Sequence, residues 1–257
     1  MSEFTVYNSI SQFQLFRAGL LPQQSVGFVA TMGALHDGHA SLIRQSRSEN
    51  DHTIVSIFVN PTQFNSPADL EKYPRTLDHD LQLCRESGAQ AVLLPTYEQI
   101  YTDGYRYKIT ESEFSKILCG QYRPGHFDGV LTVVMKLLQI VRPQRAYFGK
   151  KDFQQYLLIK NMADSFFLPT QIVSCETRRE ADGLALSSRN RRLTAEGRKT
   201  AALLYQAISQ NGSLAEARDF LQQRKIEVEY LEEHHQRRFI AAHIDGVRLI
   251  DNVELSS

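Results

Sequence analysis

The sequence lacks the features that would commit it to a membrane, a polyanion or a disulfide frame. Its 29 lysines and arginines are balanced by 29 aspartates and glutamates, so the basic excess or stripe of a nucleic-acid binder is missing. The cysteines, Cys84, Cys119 and Cys175, are few, odd in number and without a CxxC pair, which argues against both a disulfide framework and a zinc site. No uncharged stretch approaches the ~20 residues that span a bilayer. The opening Met-Ser-Glu-Phe-Thr-Val-Tyr is neither basic nor a long apolar segment. Internal repeats and low-complexity tracts are absent. The expectation is a soluble, cytoplasmic protein with no nucleic-acid and no membrane partner. Its 257 residues suffice for one large domain and a smaller one.

What is present is concentrated in residues 25–47. A short apolar run, Val26 to Ala30, has the pattern of a buried strand. A glycine-containing turn, Thr31 to Ala34, follows, and then a helix expected to start near Asp37 or Gly38, with the Asp37 carboxylate as its cap. Unpaired amides and the helix dipole make such a helix start an anion site. His36 and His39 stand there three residues apart, on one helical face, and Gly38 allows close approach to the backbone. A phosphate group is the ligand that this pattern suits.

Further along, Thr53 to Val59 is a β-branched strand that ends in Asn60-Pro61-Thr62-Gln63-Phe64. Strand, helix and strand in this span imply a right-handed βαβ crossover and a parallel sheet, whose ligands lie beyond the C-terminal strand ends. Asn60 and Gln63 offer uncharged amides suited to orienting a hydroxy acid. Tyr73 to Thr76 reads as a loop before a helix over Leu77 to Ser87. Asp78 and Asp80 are ordinary first-turn acids there, with Asp80 also a candidate Mg²⁺ contact. Arg123-Pro124-Gly125-His126 is a loop that feeds a helix with Val130, Val133, Val134, Leu137, Leu138 and Val141 on one face. Arg123 and His126 could reach the crevice, fix the loop or make a subunit contact. Arg145 to Phe148 is a strand, and a helix begins after Gly149 carrying Lys151, a mobile charge for phosphate oxygens. Gln155 lies one turn later. Gln171 to Cys175 is another strand. Residues 178–190 then form a polar loop rich in hydroxyls and guanidinium groups, a polyphosphate clamp that closes, a hinge linker between domains, or both together. Two helices (195–210 and 214–223) and a hairpin around Asp245-Gly246 complete the chain.

Five ordered blocks carry a resemblance to the pantothenate synthetase family, within the HxGH nucleotidyltransferase superfamily. They are Thr31–His39, Ser56–Phe64, Tyr73–Thr76, Arg123–Phe127 with the helix after it, and Phe148–Gln155 with Asp182–Asn190. The resemblance spans residues from about 26 to 193. It implies an α/β fold, with a Rossmann-like parallel-sheet domain (1–177) that binds nucleotide and pantoate, a smaller α+β lid domain (178–257) and a homodimer. It implies that ATP and pantoate form pantoyl adenylate and pyrophosphate, with Mg²⁺, and that β-alanine then displaces AMP to give pantothenate. By the same likeness the catalytic groups are His39, His36 and Lys151. ATP is held by Met32, Gly33, Ala34, Leu35, His36, Asp37, Gly38, His39, Gly149, Lys150, Lys151, Asp152, Arg178, Leu186, Ser187, Ser188 and Arg189. Gln63, Gln155 and Asn60 bind pantoate, Gln63 also lying near β-alanine. No protein-held metal cage is implied.

Three positions depart from the family pattern. Lys150 adds a charge where a neutral or acidic residue is usual, Arg178 replaces an apolar residue that makes a backbone contact, and Arg192 replaces a tyrosine. The C-terminal region is expected to be shorter than in most relatives. Two other readings share the scaffold. A nucleotidyltransferase with a phosphorylated acceptor would call for Arg or Lys in the Asn60–Gln63 loop, which has only amides. A non-enzymatic nucleotide binder would have lost His36, His39 or Lys151, all of which are present.

Overall fold

The structure, a computed structural model, describes residues 4–210 and 212–255. The chain divides into two compact units, the first Met1–Gly149 with Gln154–Cys175, the second Lys150–Phe153 with Glu176–Ser257. The expected single boundary after residue 177 does not include the excursion at Lys150–Phe153.

In the first unit the elements run β1 (Thr5–Tyr7), α1 (Ile10–Ala18), β2 (Val26–Thr31), α2 (Asp37–Glu49), β3 (His52–Ile57), α3 (Pro67–Glu71), α4 (Leu77–Glu86), β4 (Ala91–Leu93), α5 (Tyr97–Ile100), α6 (Cys119–Tyr122), α7 (His126–Val141), β5 (Arg145–Gly149), α8 (Phe153–Ser165) and β6 (Gln171–Cys175). The six strands form one sheet in the order β1-β4-β3-β2-β5-β6, and every neighbouring pair is parallel. This is the α/β architecture expected from the apolar runs and the intervening helices. The order reverses at β2, flanked by β3 on one side and β5 on the other, which makes the C-terminal ends of β2 and β5 the place for a ligand. The ladders show why a crevice opens there. β2 pairs with β3 over six positions, Val26↔His52 to Thr31↔Ile57, but with β5 over Gly27↔Arg145 and Phe28↔Ala146, so the two strands part toward their C-terminal ends.

Packing fixes the approach of α2. A Cβ at Gly27 would strike the side chains of Ser46 in that helix and of Asn50, its C-cap, so the glycine sets how closely α2 can lie on β2. Val29, Leu35, Ile43, Val55, Val92 and Tyr147 form the core between sheet and helices. In α7 the expected stripe from Val130 to Val141 is buried.

The second unit carries α9 (Ala195–Gln210), α10 (Leu214–Gln223) and the antiparallel sheet β7 (Glu227–His234), β8 (Arg237–Ile244), β9 (Val247–Glu254). Its core includes Leu204, Ile208, Leu221, Ile240 and Leu249. The Asp245-Gly246 hairpin forms as expected, with φ of 53° and 69°. A second hairpin turn, His235-Gln236 with φ of 48° and 55°, adds β7, a strand that the sequence pattern does not announce.

Candidate active site

The turn after β2 is strained and held from a distance. Gly33 and Ala34 have φ of 80° and 51°, the second in a region that side chains other than glycine rarely occupy. What holds it is Asp80, 1% exposed. Its Oδ2 accepts from Ala34 N–H (2.9 Å) and its Oδ1 from Leu35 N–H (2.8 Å) and from Thr76 Oγ1 (3.0 Å). Asp80 is therefore the buttress of the turn, with both oxygens engaged. Replacing it with alanine would leave two buried amides unpaired, at about 1–3 kcal/mol each. Asp80→Ala is expected to lower the thermal midpoint by roughly 5–10 °C, and Asp80→Asn, which keeps one acceptor, by about half as much; calorimetry of the three proteins checks this.

The turn delivers the two imidazoles to the head of α2 in a reciprocal cap. His36, not the expected Asp37, is the N-cap residue, and Asp37 is the first helical residue. Gly38 N–H donates to His36 Nδ1 (3.1 Å), and His36 N–H donates to His39 Nδ1 (3.3 Å). An imidazole nitrogen that accepts from an amide carries no proton, so each neutral ring bears its proton on Nε2. The ring centroids are 4.2 Å apart. The cap displaces aspartate because two side chains can serve two amides at once, as in a Ser/Glu capping box. Met32, His36, Gly38 and His39 are half-buried, Asp37 is exposed, and Ala34 and Leu35 are fully buried.

The loop after β3 is equally over-determined. Asn60, 1% exposed, donates from Nδ2 to Gln63 Oε1 (3.0 Å) and Gly129 O (3.2 Å), and accepts at Oδ1 from Tyr101 OH (2.8 Å) and Thr62 Oγ1 (3.0 Å). Burial pushes the Tyr101 phenol up to about 12, so it stays a donor. Oε1 of Gln63 thus has its partner inside the loop, and Gln63 itself is buried. Arg123 and His126 fix this loop: Arg123 donates to His126 Nε2 (3.1 Å) and Gln63 O (3.2 Å), and His126 Nδ1–H donates to Gln63 O (2.8 Å). Gly129 permits the contact, since a Cβ there would meet Thr62 and Gln63 backbone. In α8, Gln155 is half-buried. Its neighbour Gln154, unremarked in the sequence, is buried and ties residues 114–119, donating to Phe114 O and Ile117 O and accepting from Cys119 N–H.

Gly149 closes β5 in the first unit, and the next residues belong to the second. Lys150 to Asp152 form a 3₁₀ turn ahead of α8, so Lys151 precedes that helix instead of riding on it. Lys151 Nζ lies 3.5 Å from Asp152 Oδ1. The extra charge of Lys150 is paired with Glu176 at 2.5 Å. The residue 178–190 segment is a pinned hairpin: Leu186 N–H donates to Arg178 O (2.9 Å) and Arg179 bridges Ala185. The Arg178 side chain is exposed. Ser187 caps a 3₁₀ segment, Ser188–Arg192, accepting from Arg189 N–H (3.3 Å). Leu186, Ser187, Ser188 and Arg189 are half-buried, and Arg192 is exposed.

Residues 5–254 match the sequence model of the family described as pantoate-beta-alanine ligase. The pantothenate synthetase of Bdellovibrio bacteriovorus is 52% identical over 250 residues, 97% of this chain and 99% of that one. The pantothenate synthetase of Legionella pneumophila (strain Lens) is 49% identical over 247 residues, 96% of this chain and 98% of that one. Among solved structures, the pantoate-beta-alanine ligase from Francisella tularensis, complexed with beta-gamma ATP and beta-alanine, has a TM-score of 0.92 at 44% identity and covers 98% of this chain and 97% of its own. Pantothenate synthetase from Thermus thermophilus gives 0.90 at 38% identity, with 99% and 100% coverage. These relatives are spanned nearly end to end, so relative to them the expected shortening of the C-terminal region is not seen.

Proposed function

The chain belongs to the pantoate–β-alanine ligase family, and on that footing we propose that it condenses (R)-pantoate with β-alanine at the expense of ATP, through pantoyl adenylate. A pantoate carboxylate oxygen attacks the α-phosphorus of ATP and pyrophosphate leaves. The β-alanine amine then attacks the acyl carbon and AMP leaves, carrying that carboxylate oxygen, to give pantothenate. The observation that carries this reading is the paired cap at α2: two imidazoles with Nδ1 held by backbone amides present Nε2–H groups at the positive end of a 13-residue helix, where a phosphate is bound most favourably.

His39 and His36 donate to the phosphates as charge develops on the leaving group. Gln63 and Gln155 orient pantoate, and Asn60 acts by setting the Gln63 amide. Gly33, Gly38 and Gly149 admit the nucleotide, with Met32, Ala34, Leu35 and Asp37 beside it; the Ala34 and Leu35 amides serve Asp80, so their part is to shape the turn. Lys151 and the Leu186–Arg189 segment, with Lys150, Asp152 and the Arg178 backbone alongside, bind the polyphosphate. No covalent enzyme intermediate is needed, since positioning and charge stabilisation carry the first step.

Mg²⁺ fits this donor set as an ion held by ATP oxygens and water. Among the described residues no group of three or more His, Cys, Asp or Glu is placed to hold a metal, and Asp80, the candidate contact, is engaged by two amides and a hydroxyl. Bound to the polyphosphate, the ion offsets its negative charge. The Asn60–Gln63 loop carries the amides of Asn60 and Gln63 and no Arg or Lys, which favours a hydroxy acid over a phosphorylated acceptor. No helix among the described residues is long and apolar enough to cross a membrane. We assign the protein to the cytoplasm as a homodimer with an isologous contact, the commonest arrangement of soluble oligomers.

The test is pyrophosphate release with ATP and Mg²⁺, with and without pantoate. Release that needs pantoate but not β-alanine supports the reading. Pantoate-independent release, or none from a folded protein that binds ATP, overturns it.

A further inference from the structure

We propose that Asp251 and Asn252 of β9 are positioning residues for the phosphate-binding segments of the second unit, with Asn252 setting the backbone of Lys151. The inference rests on the role given above to Lys151.

Asn252 is 2% exposed and its amide is committed on both sides. Nδ2 donates to Lys150 O and to Lys151 O, each at 2.9 Å. Oδ1 accepts from Arg237 Nε at 2.8 Å, and a guanidinium can only donate, so the orientation of the amide is fixed. The two carbonyls it holds belong to the peptide planes on either side of the Lys151 Cα. The relative orientation of those planes is the φ/ψ pair of Lys151, so one side chain about a hundred residues away in sequence determines how the lysine leaves the backbone. A single 3₁₀ turn has poor hydrogen-bond geometry of its own, and the external clamp supplies what it lacks. The same clamp accounts for Lys150–Phe153 grouping with the second unit and not with the strand it follows.

Asp251 does the corresponding work for the other segment. It holds Arg179 through two bonds, Nη1 to Oδ2 (2.6 Å) and Nη2 to Oδ1 (2.9 Å), a bidentate pair of the geometrically specific kind. Arg179 also donates to Gly183 O (3.1 Å) and Asn252 O (3.3 Å), and it stands at the base of the hairpin that leads to Ser187–Arg189. Arg237, whose guanidinium stacks 4.4 Å from the Phe153 ring, braces Asn252 from behind. Two adjacent residues of one strand thus register the lysine turn and the hydroxyl–guanidinium loop against each other.

The experiment is a double-mutant cycle on the full chain, read by steady-state kinetics with thermal unfolding alongside. Asn252→Ala is expected to raise KM for ATP and lower kcat, each roughly tenfold, with KM for pantoate unchanged. Asn252→Asp keeps the shape and the Arg237 contact but has no donor for the carbonyls. It is expected to behave alike, and it serves if the alanine variant does not fold. Because Asn252 acts through Lys151, Lys151→Ala/Asn252→Ala should fall within about twofold of Lys151→Ala alone. Additive losses, or wild-type kinetics in the Asn252 variants beside a defective Lys151→Ala, overturn the positioning role. A merely structural role would lower the thermal midpoint and leave KM for ATP of the folded enzyme unmoved. Wild-type kinetics in Lys151→Ala itself would instead refute the role of Lys151, and the positioning proposal with it.

Discussion

His39→Ala is expected to cut pantoate-dependent pyrophosphate release by roughly 10²–10⁴-fold, the range for loss of a positioned proton donor or charge-stabilising group. Stability should fall by only about 1 kcal/mol, the cost of a lost cap. The disproportion is the informative result, because His39 has two separable jobs. Its Nδ1 accepts from the His36 amide, which is structural, and its Nε2–H faces the phosphate in the proposed reaction, which is chemical. Asparagine can offer an oxygen close to where Nδ1 stands but has nothing at Nε2. His39→Asn is therefore expected to recover the stability lost in His39→Ala while remaining as inactive. Activity returning together with stability would show that the imidazole acts through the cap alone. Calorimetry and the release assay on the three proteins decide the point.

Lys151→Ala carries the second large effect. Its ammonium lies 3.5 Å from Asp152, and the two side chains are 17% and 47% exposed, so the pair contributes little stability. Loss of the charge should leave the thermal midpoint within about 2 °C of wild type. Turnover with saturating pantoate should fall roughly 10²–10³-fold, the size of effect seen when one preorganised stabiliser of developing charge is removed. Lys151→Arg should recover part of this, since it restores the charge but replaces a compact point donor with a planar fork. Steady-state kinetics with ATP as the varied substrate check both. A fall in stability that matches the fall in activity would mean that the lysine holds the turn together and does not act on phosphate.

The parts of the fold legible in the sequence are those written in local periodicity. Val26 to Thr31, the β-branched run into Ile57, the valine stripe of α7 and the Asp245-Gly246 turn all announce themselves within a short local window, and each forms. The site's architecture is less legible because long-range bonds make it. Ala34 and Leu35 depend on Asp80, 46 and 45 residues away, and Lys150 and Lys151 depend on Asn252, 102 and 101 residues away. Nothing in a local window marks an aspartate in a first helical turn as a buttress, or an asparagine in a strand as a clamp. The cap of α2 escapes local reasoning for a related cause: Asp37 is the better cap by propensity, but the reciprocal bonds of two histidines engage two amides where aspartate would engage one. β7 is hidden because His235-Gln236 adopts the paired left-handed conformation without the Asn or Gly that signals it.

In the proposed reaction pantoate is activated as an acyl adenylate, and the path of its carboxylate oxygen distinguishes this from any other activation. With both carboxylate oxygens of pantoate labelled with ¹⁸O, turnover in the presence of ATP, Mg²⁺ and β-alanine should give AMP that carries one labelled oxygen, and pantothenate that retains the other in its amide. Label in inorganic phosphate, with ADP as the nucleotide product, would mean activation as an acyl phosphate by attack at the γ-phosphorus, and would rule out the adenylate.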